Sequence, residues 1–221
     1  MVGFARSILD AQAQADRYFS ESRLTGFIRL GASDDLVTRD LPDVLVEFQR
    51  SYPAVDLELV VGLSENLKIR MAAGGELDMM VAKRLPGEQH GELLWQDRLV
   101  WAGARRNDRC RRPGPPHRHL SPPPSLTRHV ALRALEREHR TWRIACVSDS
   151  QLGLQAAVLA GLGIVPHAET LLPQGLHRVN DDRLPQLGEL EFVLVCRRST
   201  LSEPEQALHD AIVAGARRMH Q

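Results

Sequence analysis

The sequence predicts an α/β protein with a parallel sheet, and three observations carry that reading. Residues 26–85 alternate apolar runs with helically spaced ones, giving strand, helix, strand, helix, strand. The turns between them are short, which favours parallel strands joined by helices. The second half repeats the logic from Trp142 onward as strand, Ser/Asp turn and helix. Units of this kind line up helix N-termini along one sheet edge, where small polar ligands bind.

Each element has its own local cause. Phe27-Ile28-Arg29-Leu30 is a short apolar run ending at Gly31, as in a buried strand. Asp34 or Asp35 can cap the next helix, and the residues alone do not choose between them. Leu41, Val44, Leu45, Phe48 and Tyr52 recur at helical spacing before Pro53 stops the helix. Val55, Leu57, Leu59 and Val61 alternate with Asp56 and Glu58, predicting a strand with one wetter face. Ser64 can cap a short helix through Met71, Gly74-Gly75 ends it, and Leu77–Ala82 forms a third strand. After a turn at PGEQHG, the run LLWQDRLVWAGA fits one or two strands. The segment SPPPSLTRHVALRALEREH reads as a turn and a helix, and Trp142–Val147 as a strand. Ser148-Asp149-Ser150 is a capping turn, followed by a helix through Gly161 and a short strand near Pro166. Leu190–Cys196 is a strongly apolar strand. Ser202-Glu203-Pro204-Glu205 has the form of a capping box, in which Ser202 accepts from the N–H three residues on and Glu205 reaches back. Its helix carries Leu208, Ala211, Ile212 and Met219 on one face, and should pack back on the first half. At the other end, Phe4, Ile8, Ala11, Ala15 and Tyr18 are spaced 4, 3, 4, 3, which suits a helix that pairs with another or docks on its own domain.

Composition narrows the function. A 43% hydrophobic content suits a soluble globular chain, and no apolar run approaches the length of a membrane span. Arg6 and Asp10 interrupt any signal-peptide apolar region, so the expected location is the cytoplasm. Cys110, Cys146 and Cys196 lie far apart without metal spacing and read as free thiols. Formal net charge is zero, but residues 105–119 hold six Arg and one Asp, leaving 22 basic and 27 acidic residues elsewhere. A mildly acidic remainder is a poor footprint for a chain that grips DNA by itself. There is no G-x-S-x-G elbow, P-loop or G-x-G-x-x-G, and His117-x-His119 has no further ligand at helical spacing. The expectation is therefore a binding protein, with no cofactor, no metal and no catalytic residues.

Several stretches together resemble one family. Gly26–Gly31 followed by ASDD, then LPDVLVEFQRSYPAVDLELVVG, GELDMMVA, SDSQLGLQAAVLAGLGIVP and LEFVLVCRRS keep the order and spacing of the effector-binding half of LysR-type transcriptional regulators. The resemblance implies two Rossmann-like subdomains in a type 2 periplasmic-binding-protein-like arrangement, preceded by a linker helix. Residues 1–24 would be that helix, 25–103 with 190–221 the first subdomain, and 104–189 the second. The chain would cross between them near Ala102–Ala104 and Glu189–Glu191. A small-molecule effector would sit in the cleft, shifting the geometry of a homodimer or homotetramer whose DNA contacts come from a winged helix-turn-helix. That element normally precedes the linker helix and has no counterpart in this sequence. A deliberately truncated polypeptide, a shortened gene model and a natural fragment are each compatible with this, and the residues alone do not choose between them. A free-standing solute-binding protein of the same fold and an inactive fragment stand as alternative readings.

The candidate effector-binding residues follow the turns. Ser33 sits after the first strand, beside Asp34 and Asp35, and Ser64 opens the second helix; each can contact a ligand or simply cap a helix. Two carboxylates at residues 34 and 35 argue against a simple carboxylate effector unless they point away. Lys83, beside Arg84, can neutralise an anion or be a solvated charge. Ser148 and Ser150 mirror Ser33 in the second half. Ser125 and Arg128 are implied by the resemblance, at the helix where family members bind effector.

One block departs from the family. Residues 105–119 hold six Arg, three Pro and two His where the family has an apolar strand, so no strand is expected there. With only two Lys (Lys68, Lys83) against 26 Arg, the coding DNA reads as GC-rich, and out-of-frame GC-rich codons give such residues. A compensated frameshift across 104–120 and a genuine basic loop both fit.

Overall fold

The computed structural model describes residues 24–37, 39, 41–104, 117–120 and 122–219. The heptad-spaced residues of the expected linker helix and most of the Arg/Pro block lie outside these. The described elements are β1 (Gly26–Ser33), α1 (Asp34–Val37), α2 (Leu41–Ser51), β2 (Val55–Gly62), α3 (Ser64–Ala73), β3 (Met79–Arg84), β4 (Glu92–Ala104), β5 (His117–Leu120), α4 (Leu126–Arg137), β6 (Arg143–Val147), α5 (Gln151–Leu159), β7 (Val165–Ala168), β8 (Leu176–Arg178), β9 (Glu189–Cys196) and α6 (Glu203–Met219).

The main sheet runs β2-β1-β3-β9-β4-β7, with β8 also on β4. β1 pairs in parallel with β2 and β3, as the two βα units predict. β9 joins β3 antiparallel, so the last strand closes the first half of the molecule. Helices cover both faces of β1–β3. On one face, Ile28, Leu30 and Ala32 bury against Val44 and Phe48 of α2 and Leu208 and Ile212 of α6. On the other, Val60, Leu77, Met80 and Ala82 pack against Leu67 of α3. Gly31 permits this second contact. A Cβ there would lie 3.0 Å from both Leu77 Cδ1 and Met80 Cβ. Arg218 of α6 reaches Glu47 of α2 at 2.6 Å, fixing the return of the C-terminal helix.

β4 is the element that joins the two halves. Residues Glu92–Arg98 pair with β9, while Leu99–Ala104 pair with β7 and β8. The chain returns beside the same point, where the Leu99 N–H donates to the Gly188 carbonyl at 2.9 Å. Just before the switch, the buried Asp97 carboxylate accepts from the Thr170 hydroxyl (2.6 Å) and backbone N–H (3.1 Å). Just after it, Trp101 Nε1 donates to the Pro185 carbonyl at 2.9 Å. Beyond β4, Ala102, Leu154, Val158, Val165 and Leu176 form a small core under α5.

Several expectations are corrected. A strand does occur within 105–119: His117–Leu120 pairs in parallel with β6. The prolines of the block all precede it, so its backbone N–H groups remain free to pair. The third strand is Met79–Arg84 rather than Leu77–Ala82. The alternation of β2 fails after Glu58: Val60 is buried under α3, while Leu59 and Val61 are exposed. Only half of the capping box forms as written. Glu205 accepts from the Ser202 N–H at 2.7 Å, but the Ser202 hydroxyl also donates to Glu205 (2.8 Å) instead of accepting from the backbone.

Candidate functional site

A cleft opens between the C-terminal ends of β1 and β3 and the start of α3 on one side, and α4, α5 and β7 on the other. Its walls come from Ser33, Asp34, Asp35, Ser64, Glu65 and Lys83 opposite Ser125, Thr127, Gln151 and His167. The cavity between them is small, about 30 Å³. A second, larger recess continues from Asp34, Asp35, Gln151 and His167 toward Leu152, Leu171 and Leu172, and its wall is mainly apolar.

Local folding places each polar group. Ser33 is the last residue of β1, so its side chain stands at the sheet edge, 2% exposed. The residue is followed at once by the short turn of α1, which carries Asp34 and Asp35. Ser64 does not cap α3. Leu63 holds the N-cap position without a side-chain bond, and the Ser64 hydroxyl instead accepts the Lys83 N–H at 3.0 Å, tying α3 to β3. Ser125 and Ser150 are true N-caps, accepting from the N–H groups of Arg128 (3.4 Å) and Gly153 (3.5 Å).

Two carboxylates cross from one side to the other. The Gln151 N–H at the start of α5 donates to Asp34 at 3.3 Å. The Leu126 N–H at the start of α4 donates to Glu65 at 3.1 Å. Helix N-termini attract negative charge, and here the protein's own side chains supply it.

The cations are also committed. Lys83 Nζ pairs with Asp35 deep in the wall and lies 5.6 Å from the Phe192 ring centroid. Lys68 pairs with Glu65 at 3.1 Å. Arg84 turns away from the cleft, bonding Glu191 at 2.6 Å and the Gly91 carbonyl at 3.0 Å.

Burial sets the protonation states. It alone would raise the Asp35 carboxyl, but the Lys83 ammonium, then His167, outweigh it and hold the group below its ordinary range. Burial raises Asp34, with the neighbouring Asp35 charge adding to the effect against the Gln151 N–H. Burial lowers His167 more than Asp35 restores it, so the imidazole is neutral at neutral pH. His167 Nδ1 lies 2.9 Å from the Ala168 carbonyl, which can only accept. Nδ1 therefore carries the proton and Nε2 is an acceptor.

Three atoms on buried side chains across the two walls have no hydrogen-bond partner among the described residues: Ser33 Oγ, Asp35 Oδ1 and His167 Nε2. Ser33 Oγ lies close enough to Asp35 to favour its ionised form, yet no bond of ordinary geometry joins them. Buried polar atoms are rarely left unsatisfied, so the wall is incomplete without something that bonds to it. Ser, His and Asp are also the residue types of a hydrolytic triad, but the required chain of bonds is missing. His167 Nδ1 faces a backbone carbonyl, and Ser33 Oγ and His167 Nε2 are not bonded to each other.

The cleft thus brings together five of the residues singled out from sequence: Ser33, Asp34, Ser64, Lys83 and Ser125. Ser150 lines only the apolar recess. Ser148 does not line the cleft; its hydroxyl bonds the Ser150 backbone at 3.1 Å within the capping turn. Arg128 gives its N–H to the Ser125 cap and its side chain does not line the cleft. Sequence reasoning passed over Glu65, Gln151 and His167. For His167 there was a signal, a lone imidazole inside the apolar strand Val165–Ala168.

The LysR substrate binding domain model matches residues 21–217. The chain belongs to that family. This LysR domain is 28% identical to the HTH-type transcriptional regulator DgdR of Burkholderia cepacia over 218 residues, covering 95% of the chain and 71% of the relative. Among solved structures, the Synechocystis PCC6803 CcmR regulatory domain in complex with 2-PG superposes with a TM-score of 0.73 at 20% identity, covering 89% of this chain and 100% of that one. The effector-binding domain of QuiR in complex with shikimate gives 0.67 at 13% identity, covering 90% and 100%. The fold is that of LysR regulatory domains, and the chain is an effector-binding domain of that type. Among the described residues, no helix is long and apolar enough to cross a membrane, and no three His, Cys, Asp or Glu side chains converge to hold a metal.

Proposed function

We propose that this LysR domain senses a small molecule in the cleft lined by Ser33, Lys83, Gln151 and His167, and that binding changes the relative geometry of two lobes. The lobes divide where β4 changes partners, at Arg98/Leu99, beside the start of the return strand at Glu189 and somewhat ahead of the boundary expected at residue 103. The carrying observation is the set of unpartnered buried atoms in a cleft whose two walls come from opposite sides of that switch. The proposed site comprises Ser33, Asp34, Ser64, Lys83 and Ser125 from the sequence reading, joined by Asp35, Gln151 and His167. Ser148, Ser150 and Arg128 serve it indirectly, by shaping the N-termini of α4 and α5. The site binds without turning over its ligand, consistent with relatives that are transcriptional regulators.

The output passes to DNA through a homodimer or homotetramer in the cytoplasm, with residues 1–24 as a pairing helix. Thermal-shift screening of the chain against small polar and amphipathic metabolites tests the binding role. The expectation is at least one stabilising compound that is recovered unchanged. Recovery of a chemically altered compound would favour an enzyme. Size-exclusion chromatography with and without residues 1–24 tests the pairing helix, whose removal should reduce the oligomer.

A further inference from the structure

We infer that the ligand of this cleft is a small amphipathic amine, its protonated amino group held by Asp35, His167 and Ser33 beside Asp34, and its apolar body lying along Leu171 and Leu172. This rests on the cleft being the effector site. Asp35 Oδ1 and His167 Nε2 have only acceptor capacity, and Ser33 Oγ can accept as well as donate. An ammonium offers three N–H donors and no acceptor, which complements these three atoms. A carboxylate offers only acceptors and would leave Asp35 Oδ1 and His167 Nε2 unsatisfied.

Charge points the same way. Among the described residues, Asp34, Asp35 and Glu65 line the cleft, and its only lining cation, Lys83, is paired with Asp35. Among the same residues no cation bonds Asp34, which accepts from the Gln151 N–H. The two helix N-termini that would attract an anion are already occupied by Asp34 and Glu65. Arg39 stands at the exposed rim of the recess, outside this cluster. No three His, Cys, Asp or Glu among the described residues converge on a metal, so an organic cation is the better complement.

The recess supplies the other half of the ligand. It leaves the same four residues, Asp34, Asp35, Gln151 and His167, and continues along Leu171 and Leu172 to Val61 and Leu152. Val61 is 45% exposed and Leu152 66% exposed, so an apolar rim faces solvent directly beside the acidic floor. A bare ammonium would leave that surface wet, whereas a short apolar body would cover it.

The test is calorimetric titration of the whole chain with four probes: phenethylamine, 2-phenylethanol, 3-phenylpropionate and methylamine. Phenethylamine should bind about tenfold more tightly than the alcohol and than methylamine, and 3-phenylpropionate should give no heat of binding. Asp34→Asn should weaken phenethylamine about tenfold while leaving the alcohol unchanged. Equal or tighter binding of the carboxylate, no binding of phenethylamine, or an Asp34→Asn variant with unchanged amine affinity would each overturn the inference. Amide NMR separates this failure from failure of the site itself. A carboxylate or alcohol that shifts the Gln151 and His167 amides removes the amine class but keeps the cleft as the site. An amine that binds without moving those amides removes both.

Discussion

Asp34 carries two opposed demands. Its carboxyl is raised above the ordinary value of 3.8, first by burial and then by Asp35, so its charge costs folding stability at neutral pH. The same charge caps α5 and faces the cleft. Asp34→Asn keeps an oxygen for the Gln151 N–H and removes the charge, so the melting temperature of the ligand-free chain should be unchanged or higher. A fall of several degrees on differential scanning calorimetry would contradict this. His167 makes a second prediction. Its folded pKa lies below the ordinary 6.5, lowered by burial against Asp35, with Lys83 reinforcing the fall and Asp97 opposing it. As pH falls through 6.5, the unfolded imidazole takes a proton first, so the stability contributed by neutral His167 is present above that pH and drains away below it. His167→Gln should flatten the loss of urea-unfolding free energy between pH 6.5 and the folded pKa, and an unchanged slope would count against the assignment. At this scale the sequence was half legible. Ser33 and Asp34 were visible because they stand at the turn after a strand. Glu65 and Gln151 were not, and the lone imidazole of His167 was passed over, because their roles depend on which opposite wall they meet.

β4 is where the elements couple. Glu92–Arg98 belongs to one half of the sheet and Leu99–Ala104 to the other, with no break in the strand. Asp97 fastens the point just before the change by accepting both Thr170 donors. Asp97→Ala removes the acceptor of the Thr170 hydroxyl and N–H, and because Thr170 is exposed and water can take its place, the loss should cost about 0.5–1.5 kcal/mol in urea unfolding. An unchanged midpoint would mean that the Thr170 clasp contributes nothing. The βα units of residues 26–85 were readable because each apolar run keeps one period between Gly, Pro and Asp punctuation. The partner switch in β4 was not, since Gln96-Asp97-Arg98 interrupt LLWQDRLVWAGA and leave one strand or two equally open whichever strands flank it. β5 was hidden for a different reason: the prolines before it dominate the composition of the block, although none lies within the strand.

Across the whole molecule, the two halves meet through Asp34 on α5 and Glu65 on α4, with a cleft between them whose acceptors await donors. The family membership accounts for the two-lobed plan, and the acidic, self-capped cleft is this chain's own chemistry within it. A ligand that bonds Asp35, Ser33 and His167 would touch both sides of the β4 switch at once, which is how occupancy becomes a change of shape. Amide chemical-shift mapping of the whole chain with a stabilising compound tests this most directly. The account predicts the largest shifts at Ser33, Asp35, Gln151 and His167, on both walls together. Shifts confined to the groove lined by Arg98, Trp101, Asp181 and Leu184, with those four amides unmoved, would contradict it.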